Sequence, residues 1–67
     1  MTQEAAKVVQ HRLRSATAEM RSAADTLDDL TISSLLSVDR RRGMADMSAI
    51  LRAAALEIER AAREVIG

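Results

Sequence analysis

The fold is decided by the stretch MADMSAILRAAALEIERAAREVI, which covers residues 44–66. Its apolar residues recur at alternating steps of three and four, a spacing that keeps them on one face of an α-helix. They are Met44, Met47, Leu51, Ala54, Ile58, Ala61 and Val65. This pattern predicts a long amphipathic helix over residues 45–66.

An earlier stretch has the same spacing, and its apolar residues are Ala6, Val9, Leu13, Ala16, Met20, Ala23, Leu27 and Leu30. A heptad pattern of this kind predicts a helix that packs against another helix. We place it over residues 3–29, with Thr2 as its N-cap. Because the two stripes have similar lengths, we expect the two helices to form a long antiparallel hairpin.

Residues 31–42 connect the two predicted helices. The segment contains a short apolar cluster made of Ile32, Leu35, Leu36 and Val38. It ends in three arginines that precede Gly43, and basic residues followed by glycine are typical of a helix C-terminus. We therefore predict that residues 31–42 form a short helical connector. The alternative is that they continue the first helix as one bent rod.

The composition predicts that the chain associates with other chains. The 67 residues contain no aromatic residue and no cysteine, so one small domain over residues 1–67 must build its core from Ala, Leu, Ile, Val and Met. A domain of about 60 residues buries only about 60% of the surface that its unfolded chain exposes. Without disulfides, oligomerisation is the remaining source of stability. We expect an all-α fold in which two hairpins dimerise into a four-helix-type bundle.

The charges balance, with ten Lys and Arg against ten Asp and Glu. This balance disfavours a general nucleic-acid or membrane-surface protein, which would have a basic excess. The abundance of Arg and Ala is typical of a GC-rich bacterial or phage genome. No stretch approaches the roughly 20 apolar residues of a membrane span. We expect a cytoplasmic protein, and no residue pattern points to a metal or another cofactor.

The first half of the last helix is apolar almost all round, which is more surface than one partner helix can cover. This surplus predicts a non-enzymatic regulator or adaptor that binds another protein. The predicted interface consists of Ile32, Leu35, Leu36, Met47, Ile50, Leu51 and Leu56. The competing interpretation is that the surplus is simply the interface of the homodimer.

A basic stripe gives the alternative function. Lys7, Arg14 and Arg21 recur every seven residues, and Arg40, Arg41 and Arg42 form a second basic group. Small helical-hairpin dimers of the plasmid RNA-regulator kind bind paired RNA loops through such a face. An RNA- or DNA-binding dimer is therefore the alternative prediction. A solvated flank is the interpretation we favour, because Asp28 continues the stripe with the opposite sign and no aromatic residue can stack on bases.

His11, the single histidine, starts a segment that resembles the histidine-phosphotransfer signature. The matching places are occupied by His11, Leu13, Arg14, Ser15 and Ala16. The resemblance implies that His11 carries a phosphoryl group and that Arg14 stabilises the negative charge of this group. The segment departs from the signature at Ser15, where that family has glycine, and at Arg21, where it has a small residue. We favour an exposed histidine without a chemical role, and since no catalytic cluster is visible, we expect no enzyme.

Overall fold

The computed structural model describes residues 2–65 and contains two α-helices, α1 (Gln3–Leu30) and α2 (Val38–Glu64). They pack along their whole length as a hairpin whose Cα atoms extend over 51 × 14 × 10 Å. The predicted all-α fold with a long helical hairpin is confirmed. The predicted domain covered residues 1–67 and the predicted second helix covered residues 45–66. Three of these residues lie outside the described part of the chain, namely Met1, Ile66 and Gly67.

Helix α1 begins where the sequence predicts. The backbone of Thr2 is extended, and its hydroxyl oxygen accepts a hydrogen bond from the Ala5 N–H at 3.2 Å. This bond satisfies one of the amides that a helix N-terminus leaves without a partner. At the other end, the Thr31 hydroxyl donates to the Asp28 carbonyl at 2.6 Å. Such a local side-chain bond competes with continuation of the helix, which ends at Leu30.

The predicted helical connector is wrong, and so is the alternative of one bent rod. Residues 31–37 form a loop, and α2 begins six residues before Met44, at Val38. Ser37 is the N-cap, since its hydroxyl accepts from the Arg40 N–H at 3.2 Å. Asp39 adds a negative charge where the helix dipole favours one. The three arginines therefore lie near the start of α2, not at the end of a connector, and Gly43 is an interior helix residue.

Hydrogen bonds within the loop stabilise its turn. The Ser33 N–H donates to the Leu30 carbonyl at 3.1 Å, and the Ser33 hydroxyl accepts from the Leu35 N–H at 3.3 Å. Leu36 is half-buried, whereas Ile32 and Leu35 are 82% and 94% exposed. The loop end of the hairpin thus presents two large apolar side chains to solvent.

The helices meet along a seam of small residues. The buried members are Thr17 and Ala24 on α1 and Ser48, Ala55 and Ala62 on α2. Within each helix they recur every seven residues. The Ser48 hydroxyl donates to the Ala24 carbonyl at 3.3 Å, so the short serine side chain reaches the backbone of the other helix. The two backbones therefore lie close together along the seam.

This seam differs from the predicted one by one residue in each helix. Five predicted positions are exposed, namely Val9, Ala23, Leu30, Met47 and Ala61. In each case the next residue along the chain is buried or half-buried instead. The remaining ten predicted positions, such as Leu13 and Leu51, are half-buried. The reason is steric: small residues in the centre let the helices approach, whereas Leu30 or Met47 there would hold them apart.

Candidate protein-interaction surface

The cross-helix ion pairs lie on one side of the hairpin. Arg21 Nη2 lies 2.6 Å from Glu59 Oε1, and Arg52 Nη2 lies 2.7 Å from Asp25 Oδ1 and 2.6 Å from Asp28 Oδ2. Arg21 and Asp28 follow the buried Thr17 and Ala24 by four positions, which on a helix is a rotation of only about 40°. We call this side of the seam the charged flank.

The opposite side of the hairpin is apolar. Residues one position before each seam residue are turned about 100° away from it, in the direction opposite to the charged flank. Together with the half-buried large residues beside them, they form a continuous surface that we call the apolar face. On α1 it comprises Ala6, Val9, Leu13, Ala16, Met20, Ala23, Leu27 and Leu30; on α2 it comprises Met44, Met47, Leu51, Ala54, Ile58, Ala61 and Val65.

The apolar face consists of the same residues from which the sequence predicted the contact between the two helices. Its exposed members are Val9, Ala23, Leu30, Met47 and Ala61, and its other members are half-buried beside the seam. The sequence pattern therefore identified these residues but not that they lie beside the buried seam, with five of them exposed. The signal that could have shown this is the second set of small residues, at Thr17, Ala24, Ser48 and Ala55, each one position further along.

The predicted protein interface does not form one surface. Met47 and Leu51 belong to the apolar face, and Ile50 lies at its edge. The loop residues Ile32, Leu35 and Leu36 lie at the end of the hairpin, and Leu56 lies on the outer side of α2, away from the apolar face. Of the predicted residues, the structure therefore brings only the Met47, Ile50 and Leu51 group together on a broad surface.

The predicted nucleic-acid contacts are also divided. Arg21 is paired with Glu59, which leaves Lys7 and Arg14 exposed near the end of the hairpin opposite the loop. The Arg40–Arg42 group lies beside the loop, and the rise of a helix places Lys7 about 35 Å from that end. Arg41 packs into the end of the seam, where its Nε is buried without a partner among residues 2–65. The two basic groups therefore do not form one continuous patch.

His11 is exposed on the outer side of α1. Within residues 2–65, no group of three or more His, Asp or Glu side chains is arranged to hold a metal ion. The predicted neighbours Arg14 and Ser15 are exposed as well. The geometry thus assembles no further functional group around His11.

Charge interactions on the charged flank centre on Asp28 and Arg52. The nearby Ser48 hydroxyl and then the Arg52 guanidinium lower the pKa of the Asp28 carboxyl from its ordinary 3.8. The two aspartates in turn raise the pKa of Arg52. The side chains of this cluster remain well exposed, so it orients the helices more than it stabilises them.

Comparison with protein-family models, with curated proteins and with solved structures found no match for this chain. In the part of the chain that the structure describes, neither helix has a stretch long and apolar enough to cross a membrane. The surface of the hairpin is therefore the feature of this chain that can indicate a function.

Proposed function

We propose that the protein is a non-enzymatic regulator or adaptor that acts by protein–protein interaction through its apolar face, and that it works as a homodimer. The observation that carries this proposal is the apolar face itself. It runs along both helices, and none of its members is charged. Contiguous apolar surface of this kind on a water-exposed domain is typical of a protein interface.

The distribution of charge supports the same proposal. Every ion pair that joins α1 to α2 in residues 2–65 lies on the charged flank. The hairpin as a whole is therefore amphipathic: the charged flank is well solvated, and the apolar face is poorly solvated. Helical modules with this division bind partners by laying the apolar side into or onto another apolar surface.

A pair of matched variants tests the proposal. Ala23 is exposed on the apolar face, and Ala18 is exposed on the outer side of α1. Because both side chains are exposed, Ala23→Glu and Ala18→Glu should each change the stability of the isolated hairpin by less than about 0.5 kcal/mol. Inside an interface, however, an unpaired carboxylate weakens association by about 100-fold or more.

The measurement is quantitative affinity capture from extracts of the native host, combined with light scattering of the purified protein. We expect Ala18→Glu to keep the self-association and the co-purifying proteins of the unmodified chain, and Ala23→Glu to lose them. If Ala23→Glu keeps the same mass in solution and the same co-purifying proteins, the apolar face is not the working surface and the proposal is wrong.

A further inference from the structure

We infer that the apolar face is covered by a second copy of the chain that lies antiparallel to the first, with the two loop ends at opposite ends of a four-helix bundle. This inference rests on the homodimer of the proposed function and names the second copy as the resting partner of the apolar face, so that another protein reaches this face by exchanging with that copy. It also specifies the orientation of that partner.

The exposed area is the first argument. The chain has a mass of 7.3 kDa and a solvent-accessible area of 5187 Å². A compact folded monomer of that mass exposes about 4,200 Å². The excess of about 1,000 Å² is close to the roughly 800 Å² that each partner buries in a stable interface. The elongated hairpin thus exposes enough surplus surface for one partner's share of a stable dimer interface.

The register of the hairpin gives the second argument. Ala24 lies opposite Ser48, and Gln10, whose side-chain amide donates to the Ala62 carbonyl at 3.3 Å, lies opposite Ala62. We call the position of a residue along the long axis of the hairpin its height. In the same register, pairs of bulky residues share a height on the apolar face and form a layer. These layers are Leu13 with Ile58, Met20 with Leu51, and Leu27 with Met44. Between them lie smaller layers, Val9 with Ala61 and Ala16 with Ala54, and the mixed layer Ala23 with Met47. Bulky and smaller layers therefore alternate about every 5 Å along the face.

If the helices of the two copies run nearly parallel or antiparallel to one another, a two-fold axis can stack two such faces in two ways. If the two loops lie together, each layer packs on the same layer of the second copy. The Leu13 layer then packs on the second Leu13 layer, and the Ala16 layer on the second Ala16 layer. The bulky layers then set the separation of the hairpins, and a void is left at each alanine layer. Voids of this kind cost free energy in proportion to their volume.

If the loops lie at opposite ends, with the axis at the height of Ala18, the layers complement each other. The Leu13 layer of one copy then meets the Ala23 layer of the other, the Met20 layer meets the Ala16 layer, and the Leu27 layer meets the Val9 layer. Each bulky layer then faces a smaller or mixed one, and only the contact of Ile58 with Met47 of the second copy pairs two large side chains, so the core fills more evenly than with the loops together. The antiparallel arrangement is therefore the one that the side-chain volumes favour.

Charged residues at the edge of the apolar face weakly favour the arrangement in which the loops lie together. With the loops together, Arg12 would approach Glu57 of the second copy, whereas the antiparallel arrangement brings the two Glu19 side chains near each other. Exposed pairs contribute at most about 1 kcal/mol, and Glu57 already pairs with Arg60 of its own helix at 2.7 Å. The packing of several core layers outweighs this contribution.

Spin-label distances test the inference. Residues 2–65 contain no cysteine, so single-cysteine variants can be labelled cleanly. Ser34 is exposed in the loop, and Ala18 is exposed on the outer side of α1 at the height of the axis. In either orientation the two Ala18→Cys labels lie about 20–30 Å apart, from the 8–10 Å spacing of packed helices. This variant reports whether the dimer forms.

The Ser34→Cys variant reports the orientation. In the antiparallel dimer its labels are separated by nearly the full 51 Å of the hairpin. A separation of about 10–20 Å, the distance of adjacent packed elements, would overturn the antiparallel orientation and leave the proposed function standing. The absence of a dipolar signal at Ala18→Cys would overturn the second copy as the partner. It would also overturn the homodimer of the proposed function, and the capture experiment with Ala23→Glu would then decide separately whether the apolar face binds another protein.

Discussion

At the scale of single residues, Arg52 joins the two helices by reaching across to two aspartates of α1. The neighbouring Ser48 contributes to the low pKa of Asp28, and its own hydroxyl donates to the Ala24 carbonyl. One position of the seam and one of the charged flank are thereby tied together. The cluster favours one rotation of α2 about its axis over others.

The pH dependence of stability should report this cluster. Because the pKa of Asp28 is lowered on folding, its contribution is fully present above its ordinary 3.8 and is lost as the pH falls through the lowered value. We expect Asp28→Asn to make the loss of stability below pH about 4 shallower than in the unmodified chain. Urea midpoints measured at constant ionic strength between neutral and acidic pH provide the comparison.

Asp29→Asn is the matched control, because the Asp29 carboxylate makes none of the ion pairs described for residues 2–65. Its pH profile should follow that of the unmodified chain more closely than the profile of Asp28→Asn does. Identical profiles for Asp28→Asn and the unmodified chain would show that the contacts of Asp28 add nothing to stability.

At the scale of the elements, the start of α2 shows two local signals in competition. The Arg40–Arg42 run followed by Gly43 is typical of a helix end, whereas Ser37 followed by Asp39 is typical of a helix start. The structure follows the second signal: the Ser37 hydroxyl and carbonyl accept from the N–H groups of Arg40 and Arg41. Gly43 keeps an ordinary helical backbone, and a Cβ added to it would meet nothing within 4 Å.

Gly43→Ala should therefore stabilise the protein. Glycine in a helix interior costs about 1 kcal/mol relative to alanine. A gain of that size raises the melting temperature of a domain of this length by about 4–8 °C. Thermal unfolding at a fixed protein concentration measures it. A lower melting temperature would mean that residue 43 lies at a helix end, as the sequence predicted. Ser34→Ala in the loop should leave the melting temperature nearly unchanged.

At the scale of the whole molecule, the seam of small residues decides how the hairpin divides its apolar surface. Ala24 and Ala55 are completely buried. Because their side chains are small, the larger residues stand beside the seam and contribute to the apolar face. A seam of leucines would have enclosed more apolar surface within one chain, but it would have held the helices further apart.

Ala55→Leu should disturb this arrangement. The extra methylene groups have no space between the closely packed backbones, so we expect a loss of stability of about 1–3 kcal/mol. Ala53→Leu is the matched control: Ala53 is exposed on the outer side of α2, and its replacement should change stability by less than about 0.5 kcal/mol. Denaturant unfolding compares the two. Equal effects of both variants would contradict the tight seam.

The sequence by itself determined that the chain is all-helical, that two long helices form a hairpin, that Thr2 caps the first, and that the apolar residues share one stripe per helix. These features depend on local spacing and on capping side chains. Only the tertiary structure decided where α2 begins and which neighbouring stripe faces the other helix. Two stripes one residue apart differ by a rotation of about 100°, and each carries small residues that can be buried, such as Ala16 and Ala23 in one and Thr17 and Ala24 in the other. The choice between them depends on how closely two backbones can approach, which is a property of the pair of helices and not of either sequence alone.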